Sequence, residues 1–348
     1  MKNLLKKITD VPKVSGSEDE IRKVIINEIK EHVDKIEIDK FGNLISIKKG
    51  DKKPKVMLAA HMDEVGLMVK FIDEKGFIRF ITIGGISDQM LLNQRVTIKT
   101  SKKLIPGVIG SKPPHLMDEK EKDKLITYDK MSIDVGAKSY DDALKLGIQK
   151  GDPIFFTRIF TELSNDNISA MSLDNSVGCT ILISLIKSLK KVPCELYVVF
   201  TTQEEVGLKG ATVSSYSVNP DVALAVDIEI AGDYPEIKKE EADNELGKGP
   251  SFVMSDSLGR GLIIHPQVKK WLLDSAKKMN ISYQLYVGGP RGTTDASRIR
   301  LAREGIPTGA VSVPIRYAHT PIEVVNLKDM ENTMNLMKFA IENVNKYF

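Results

Sequence analysis

Cysteine is nearly absent: Cys179 and Cys194 are the only two in 348 residues, and neither belongs to a CxxC pair. Two cysteines make no disulfide framework, so the chain suits a reducing interior. Charge of one sign is also scarce. The 50 lysines and arginines face 47 acids, a net charge of +3, with no long block of either sign. That removes the electrostatic case for nucleic acid or an anionic membrane as a partner. Long apolar runs are missing too: no stretch approaches the roughly 18 apolar residues that suggest a membrane span. The N-terminus, MKNLLKKITDVPKVSGSEDE, has no apolar h-region or small-residue cleavage site. These absences lead to the expectation of a cytoplasmic protein. No GxSxG nucleophile elbow and no GxxxxGK[ST] phosphate loop occurs.

What is present alternates between two periodicities. Ser17-Glu18-Asp19-Glu20 reads as a capping box, followed by Ile21, Val24, Ile25, Ile29 and Val33 at helical spacing. Residues 36–39 and 44–48 flank Phe41-Gly42-Asn43 as a hairpin. Short apolar runs at 56–60, 196–201, 222–226, 283–287 and 308–313 read as strands, and helical patterns cover about 176–190, 266–279 and 327–347. Strands alternating with helices predict an α/β fold with a mixed, largely parallel sheet flanked by helices.

Residues 67–163 depart from that pattern. Short alternating runs punctuated by Gly76, Gly84-Gly85, Gly107, Gly110 and Gly151 predict a small β-barrel inserted into the α/β domain, with one brief helix near 140–146. The segment 112–124 is charged, carries Pro113-Pro114 and reads as a mobile loop. The expected division is a discontinuous catalytic domain, 1–66 and 164–348, around an insertion at 67–163.

Acids and histidines collect where the apolar runs end. His61 and Asp63 close the 56–60 run. Two apart on extended chain, their side chains point the same way, and a carboxylate suits the second nitrogen of a metal-bound imidazole. Glu204-Glu205 follows the 196–201 strand, at the end where ligands of α/β sheets gather. Neighbouring side chains diverge, so one of the pair can bind metal while the other takes a proton. Asp227 ends the 222–226 run, Asp174 precedes a helix, and His319 lies in the loop after 308–313. Singly, each has an ordinary alternative: a hydrogen-bonded His–Asp pair, a solvated acidic loop, two helix N-caps and a loop histidine. Together they are about the set that two divalent ions sharing one carboxylate need.

The segments AAHMDEVG, SLDNSVGC, TTQEEVGLKGA, AVDIE and AHTPIEVV resemble, in order, the motifs of the dinuclear metallo-aminopeptidases of the TET and glutamyl-aminopeptidase type, also known as endoglucanase-like. The resemblance spans nearly the whole chain. It implies that His61, Asp174 and Asp227 hold one metal and Asp174, Glu205 and His319 the other, with Asp174 bridging. It further implies Glu204 as general base, Asp63 orienting His61, and a non-proline cis peptide at Asp174-Asn175. The implied metals are two divalent ions per subunit, zinc first and cobalt as the alternative. The implied substrates are short peptides, whose free α-amino group lies against one metal, and the implied assembly is a tetrahedral dodecamer built from dimers through the insertion.

Two departures from the family pattern touch the surroundings of the site: Ser176 where arginine is frequent, and Arg291-Gly292-Thr293-Thr294-Asp295 where the family has Gly-Gly-Thr-Asp. No charged counter-pocket is legible, so neutral or apolar N-terminal residues are expected, with Arg291 as the feature that would favour acidic ones. The rivals are a glycosidase with two flanking carboxyls and no metal, a deacylase of N-acylated amino acids, and an inactive assembly or peptide-binding relative.

Overall fold

The computed structural model of the chain describes residues 1–118, 124–289 and 292–348. Its main feature is an eleven-stranded mixed sheet. From one edge the order runs Lys35–Ile38, Leu44–Lys48, Glu195–Thr201, Lys55–His61, Val222–Ile230, Thr308–Arg316, Glu323–Asn326, Asn167–Ala170 and Thr161–Glu162. Ser251–Ser255 and Gln284–Val287 branch from Thr308–Arg316. The four central strands are mutually parallel, and most of their residues are buried. Burial on both faces explains why they appear in the sequence as unbroken apolar runs rather than as alternation.

Helices cover both faces. Leu173–Ser188 packs beneath the centre against the C-terminal helix Leu327–Glu342, and is buried on nearly all sides. Pro266–Met279 starts with proline in its first turn and ends at Asn280 in the left-handed region, a common stop. It fully buries Trp271, whose indole N–H donates to the Ala340 carbonyl at 3.0 Å. Among the described residues no helix is long and apolar enough to cross a membrane.

Six strands between Gly66 and Phe156 close into an antiparallel barrel, in the order Gly66–Ile72, Ile78–Ile83, Ser132–Asp134, Leu104–Gly110, Arg95–Lys99, Pro153–Phe156. Alternate residues of Leu104–Gly110 are buried. The barrel has its own apolar interior of residues such as Leu67, Phe80, Ile98 and Ile154, separate from the core of the large sheet. Of the expected loop 112–124, residues 119–123 lie outside the described residues, and Pro114–Leu116 forms a single 3-10 turn.

The capping box at Ser17 is not formed. The helix runs Asp19–Ile29 with Glu18 at its N-cap position and no side-chain cap bond. The Glu18 carboxylate reaches back to the Gly16 N–H at 2.7 Å, and the Glu20 carboxylate that the box would have used pairs with Lys23 at 2.9 Å.

Candidate metal centre

Sheet register brings the site together. Thr201 pairs with His61, and Ala225 pairs with Ala59. Asp227 therefore lies level with His61 on the neighbouring strand, and Glu204 follows just beyond Thr201. Asp174 arrives from below on the buried helix, where Asp174 and Asn175 have non-helical dihedrals and are joined by a cis peptide bond.

Asn175 acts as the cap of that helix. Its Oδ1 accepts the Gly178 N–H at 2.7 Å and its Nδ2 donates to the Val226 carbonyl at 2.9 Å. Asp174 is thereby released from capping. Gly178 is needed for this, because a Cβ there would lie 2.4 Å from Asn175 Oδ1 and 2.6 Å from the Val226 oxygen.

The two carboxylate oxygens of Asp174 face two different histidines. Oδ1 lies 2.9 Å from His61 Nε2, and Oδ2 lies 3.3 Å from His319 Nε2. Asp227 is 3.5 Å from His61 Nε2, and Glu205 is 3.4 Å from His319 Nε2. The other nitrogen of each ring meets a carbonyl oxygen: His61 Nδ1 the Asp63 oxygen at 3.2 Å, His319 Nδ1 the Gly85 oxygen at 2.7 Å. A carbonyl only accepts, so Nδ1 carries the hydrogen in both rings, and a neutral imidazole in either place would turn its Nε2 lone pair toward carboxylates. That arrangement is repulsive unless a proton or a cation lies between the groups.

The electrostatics agree. Burial works against charge on His61, but Glu204, Asp227 and Asp174 raise its pKa well above the usual range. Burial likewise opposes charge on His319, yet Asp174 and Glu205 push its pKa to about 10. Burial, reinforced by Asp174, pushes Glu205 up to about 8, and burial with Asp227 and Glu205 lifts Glu204 well above its normal value. Burial would raise Asp174 as well, but its contacts with His319 and His61 outweigh it and hold this carboxyl low. Glu205 Oε1 is buried without a hydrogen-bond partner. Ligand atoms of His61, Asp174 and Glu205 lie within 4.8 Å of one another. Two imidazoles and three carboxylates that crowd and repel in this way fit divalent cations.

Asp63, expected to orient His61, has further contacts, and Glu323 and Asn43 support the site without having been legible in the sequence. The Asp63 carboxylate lies 3.6 Å from His61 Nδ1, and it also accepts the Glu204 N–H at 3.0 Å, the Glu205 N–H at 3.2 Å and the Ser15 hydroxyl at 2.6 Å. Glu323, buried, accepts the His319 N–H at 2.7 Å and the Asp174 N–H at 3.2 Å. Asn43, at the hairpin turn, accepts the Thr202 N–H at 3.0 Å and donates to the Gly210 carbonyl. Gly210 has no room for a Cβ against Asn43 and Thr202, so the acidic loop is packed tightly. Glu64, next to Asp63, faces elsewhere, into an ion cluster with buried Lys13 and with Arg158.

A cavity of about 640 Å³ opens over these groups. Its far wall carries charge that is not legible in the sequence: Glu229 and Asp256 line it together with Tyr286, Thr293 and Arg298. Arg291 lies outside the described residues.

The chain is similar to known proteins over almost its whole length. The family model described as M42 glutamyl aminopeptidase matches residues 42–336. The chain is 45% identical over 341 residues to a putative aminopeptidase of Acetivibrio thermocellus, covering 98% of each. Among solved structures it is similar to an aminopeptidase from the archaeon Desulfurococcus kamchatkensis, with 43% identity, a TM-score of 0.93, and 98% of this chain and 94% of that one covered. It is also similar to the TET1 peptidase of Pyrococcus horikoshii, which can assemble into a tetrahedron or a large octahedral shell, with 35% identity, a TM-score of 0.88 and 98% of both chains covered.

Proposed function

The chain belongs to the M42 glutamyl aminopeptidase family of hydrolases, and we propose that it removes N-terminal residues from short peptides at a pair of divalent cations, with Glu204 as general base. The observation that carries the pair is Asp174, whose two oxygens each face a different histidine, at 2.9 and 3.3 Å. His61 and Asp227 would hold one cation, Glu205 and His319 the other, and Asp174 would bridge. A nitrogen and oxygen donor set of this kind suits zinc, with cobalt as the alternative. When bound, such ions supply Lewis acidity and water that is acidic enough to ionise near neutral pH.

The chain's own residues do the rest. Glu204 lines the cavity beside His61 and Asp227 and is held through its backbone N–H by Asp63. Its carboxylate takes the proton of the attacking water and passes it to the amine that leaves. The carboxylates of the metal centre receive the free α-amino group of the substrate, which confines cleavage to the first residue. In keeping with the assembly of the TET1 peptidase, the chain forms a tetrahedral dodecamer built from dimers. Light scattering that finds a dimer or smaller species at working concentration would refute the dodecamer without touching the chemistry.

The test is a panel of aminoacyl p-nitroanilides and their N-acetylated counterparts, before and after chelation and metal reloading. Turnover of the free-amine substrates only, lost on chelation and restored by zinc or cobalt, supports the reading. Turnover of the acetylated set instead identifies a deacylase. Chelator-resistant release of sugar from cellodextrins identifies a glycosidase.

A further inference from the structure

Glu229 lies two residues beyond Asp227 on the strand Val222–Ile230. Alternate residues of a strand share a face, and two steps advance about 7 Å. The sheet thus presents a second carboxylate along the cavity wall from the acid that would hold metal. Both Asp227 and Glu229 line the cavity. Glu229 belongs to no candidate metal group and forms no ion pair among the described residues.

It is a built feature. Tyr286 lines the same wall as Glu229, and the Ile230 N–H donates to Glu229 Oε1 at 3.0 Å. Asp256 adds negative charge behind it, fixed by the Leu262 N–H and by the Thr293 hydroxyl at 3.1 Å. Gly288 lets these parts meet, since a Cβ there would lie 2.9 Å from the Tyr286 ring and 3.2 Å from Asp256 Cα. Among the described residues the cation on this wall is Arg298, which is exposed and pairs with neither acid. Leu208 and Ile228 supply apolar surface between the two ends. A long aliphatic stem ending in a cation matches that sequence of surfaces, and an anionic or short apolar one does not.

We propose that Glu229, supported by Tyr286 and Asp256, is a specificity residue that receives the charged end of an N-terminal lysine or arginine. This rests on the aminopeptidase reading and replaces the neutral preference expected from the sequence. The ammonium of the substrate supplies a countercharge to Glu229, while the stem lies along the apolar surface.

Lysyl- and norleucyl-p-nitroanilide share a four-carbon stem and differ in the terminal ammonium, so their comparison isolates it. The wild-type enzyme should show kcat/KM at least roughly tenfold higher for the lysyl substrate. Calorimetry should show the same bias for free L-lysine over L-norleucine. Glu229→Gln should collapse the ratio mainly through KM, and Glu229→Lys should turn preference toward glutamyl substrates. Equal or lower activity on the lysyl substrate, with clear turnover of the norleucyl one, overturns this inference and leaves the aminopeptidase reading intact. Failure of the metal-loaded enzyme on every aminoacyl substrate overturns that reading and this inference with it.

Discussion

The Asp63 carboxylate spans the two members of the acidic pair: Oδ1 accepts the Glu204 N–H at 3.0 Å and Oδ2 accepts the Glu205 N–H at 3.2 Å. One side chain thus sets the backbone from which the proposed base and a proposed metal ligand project in different directions. Asp63→Asn keeps the shape but turns an N–H₂ group toward one of those amides. Groups supporting a metal site cost about 10–100-fold when altered. The expected result is a fall of that order in kcat, with KM changed much less. Steady-state kinetics on metal-loaded protein check it.

Glu323 performs the corresponding task for the other ligands, with one oxygen on the His319 N–H and the other on the Asp174 N–H. Glu323→Gln satisfies only one of them. Metal affinity should fall by about 10–100-fold, while the melting temperature of the metal-free protein changes little by comparison. Competition with a chromogenic chelator measures the first quantity and calorimetry the second.

A pH effect is expected away from the cavity. Burial pushes Asp329 from 3.8 up to about 6, although the Gly247 and Gly249 N–H groups donate to it. An acid whose folded pKa lies above its unfolded one is fully compatible with the fold below about pH 3.8. It becomes a penalty as pH rises to about 6 and beyond. Relative to wild type, Asp329→Asn should therefore gain about 2 kcal/mol between pH 4.5 and pH 7. Denaturant unfolding of both proteins at the two pH values reads the difference; a gap that stays constant contradicts it.

Much of the frame was legible because the central strands are buried on both faces, and their ends place His61, Thr201 and Asp227 in register. The barrel announced itself through glycine-punctuated alternation, as in Leu104–Gly110. The helix Lys209–Val218 was not visible, since serine, threonine and glycine dilute its periodicity. The supports of the site were hidden for another reason. Gly85 reaches His319 across 234 positions, and Glu323 reaches Asp174 across 149. No local pattern records such distances. Asn175 and Asp174 are equally good cap residues on paper, and only the contacts of Gly178 and Val226 show which of them caps.

The most direct test of the account is Glu204→Gln, assayed together with its metal content. Elemental analysis of metal-loaded wild-type and variant protein should find two divalent ions per chain in both. Peptidase turnover of the variant should fall by at least roughly 10²–10⁴-fold, as for removal of a general base. A variant that holds both metals and keeps near-wild-type turnover would contradict the assignment of Glu204, and a wild-type chain that binds no more than one ion would contradict the bridging role of Asp174.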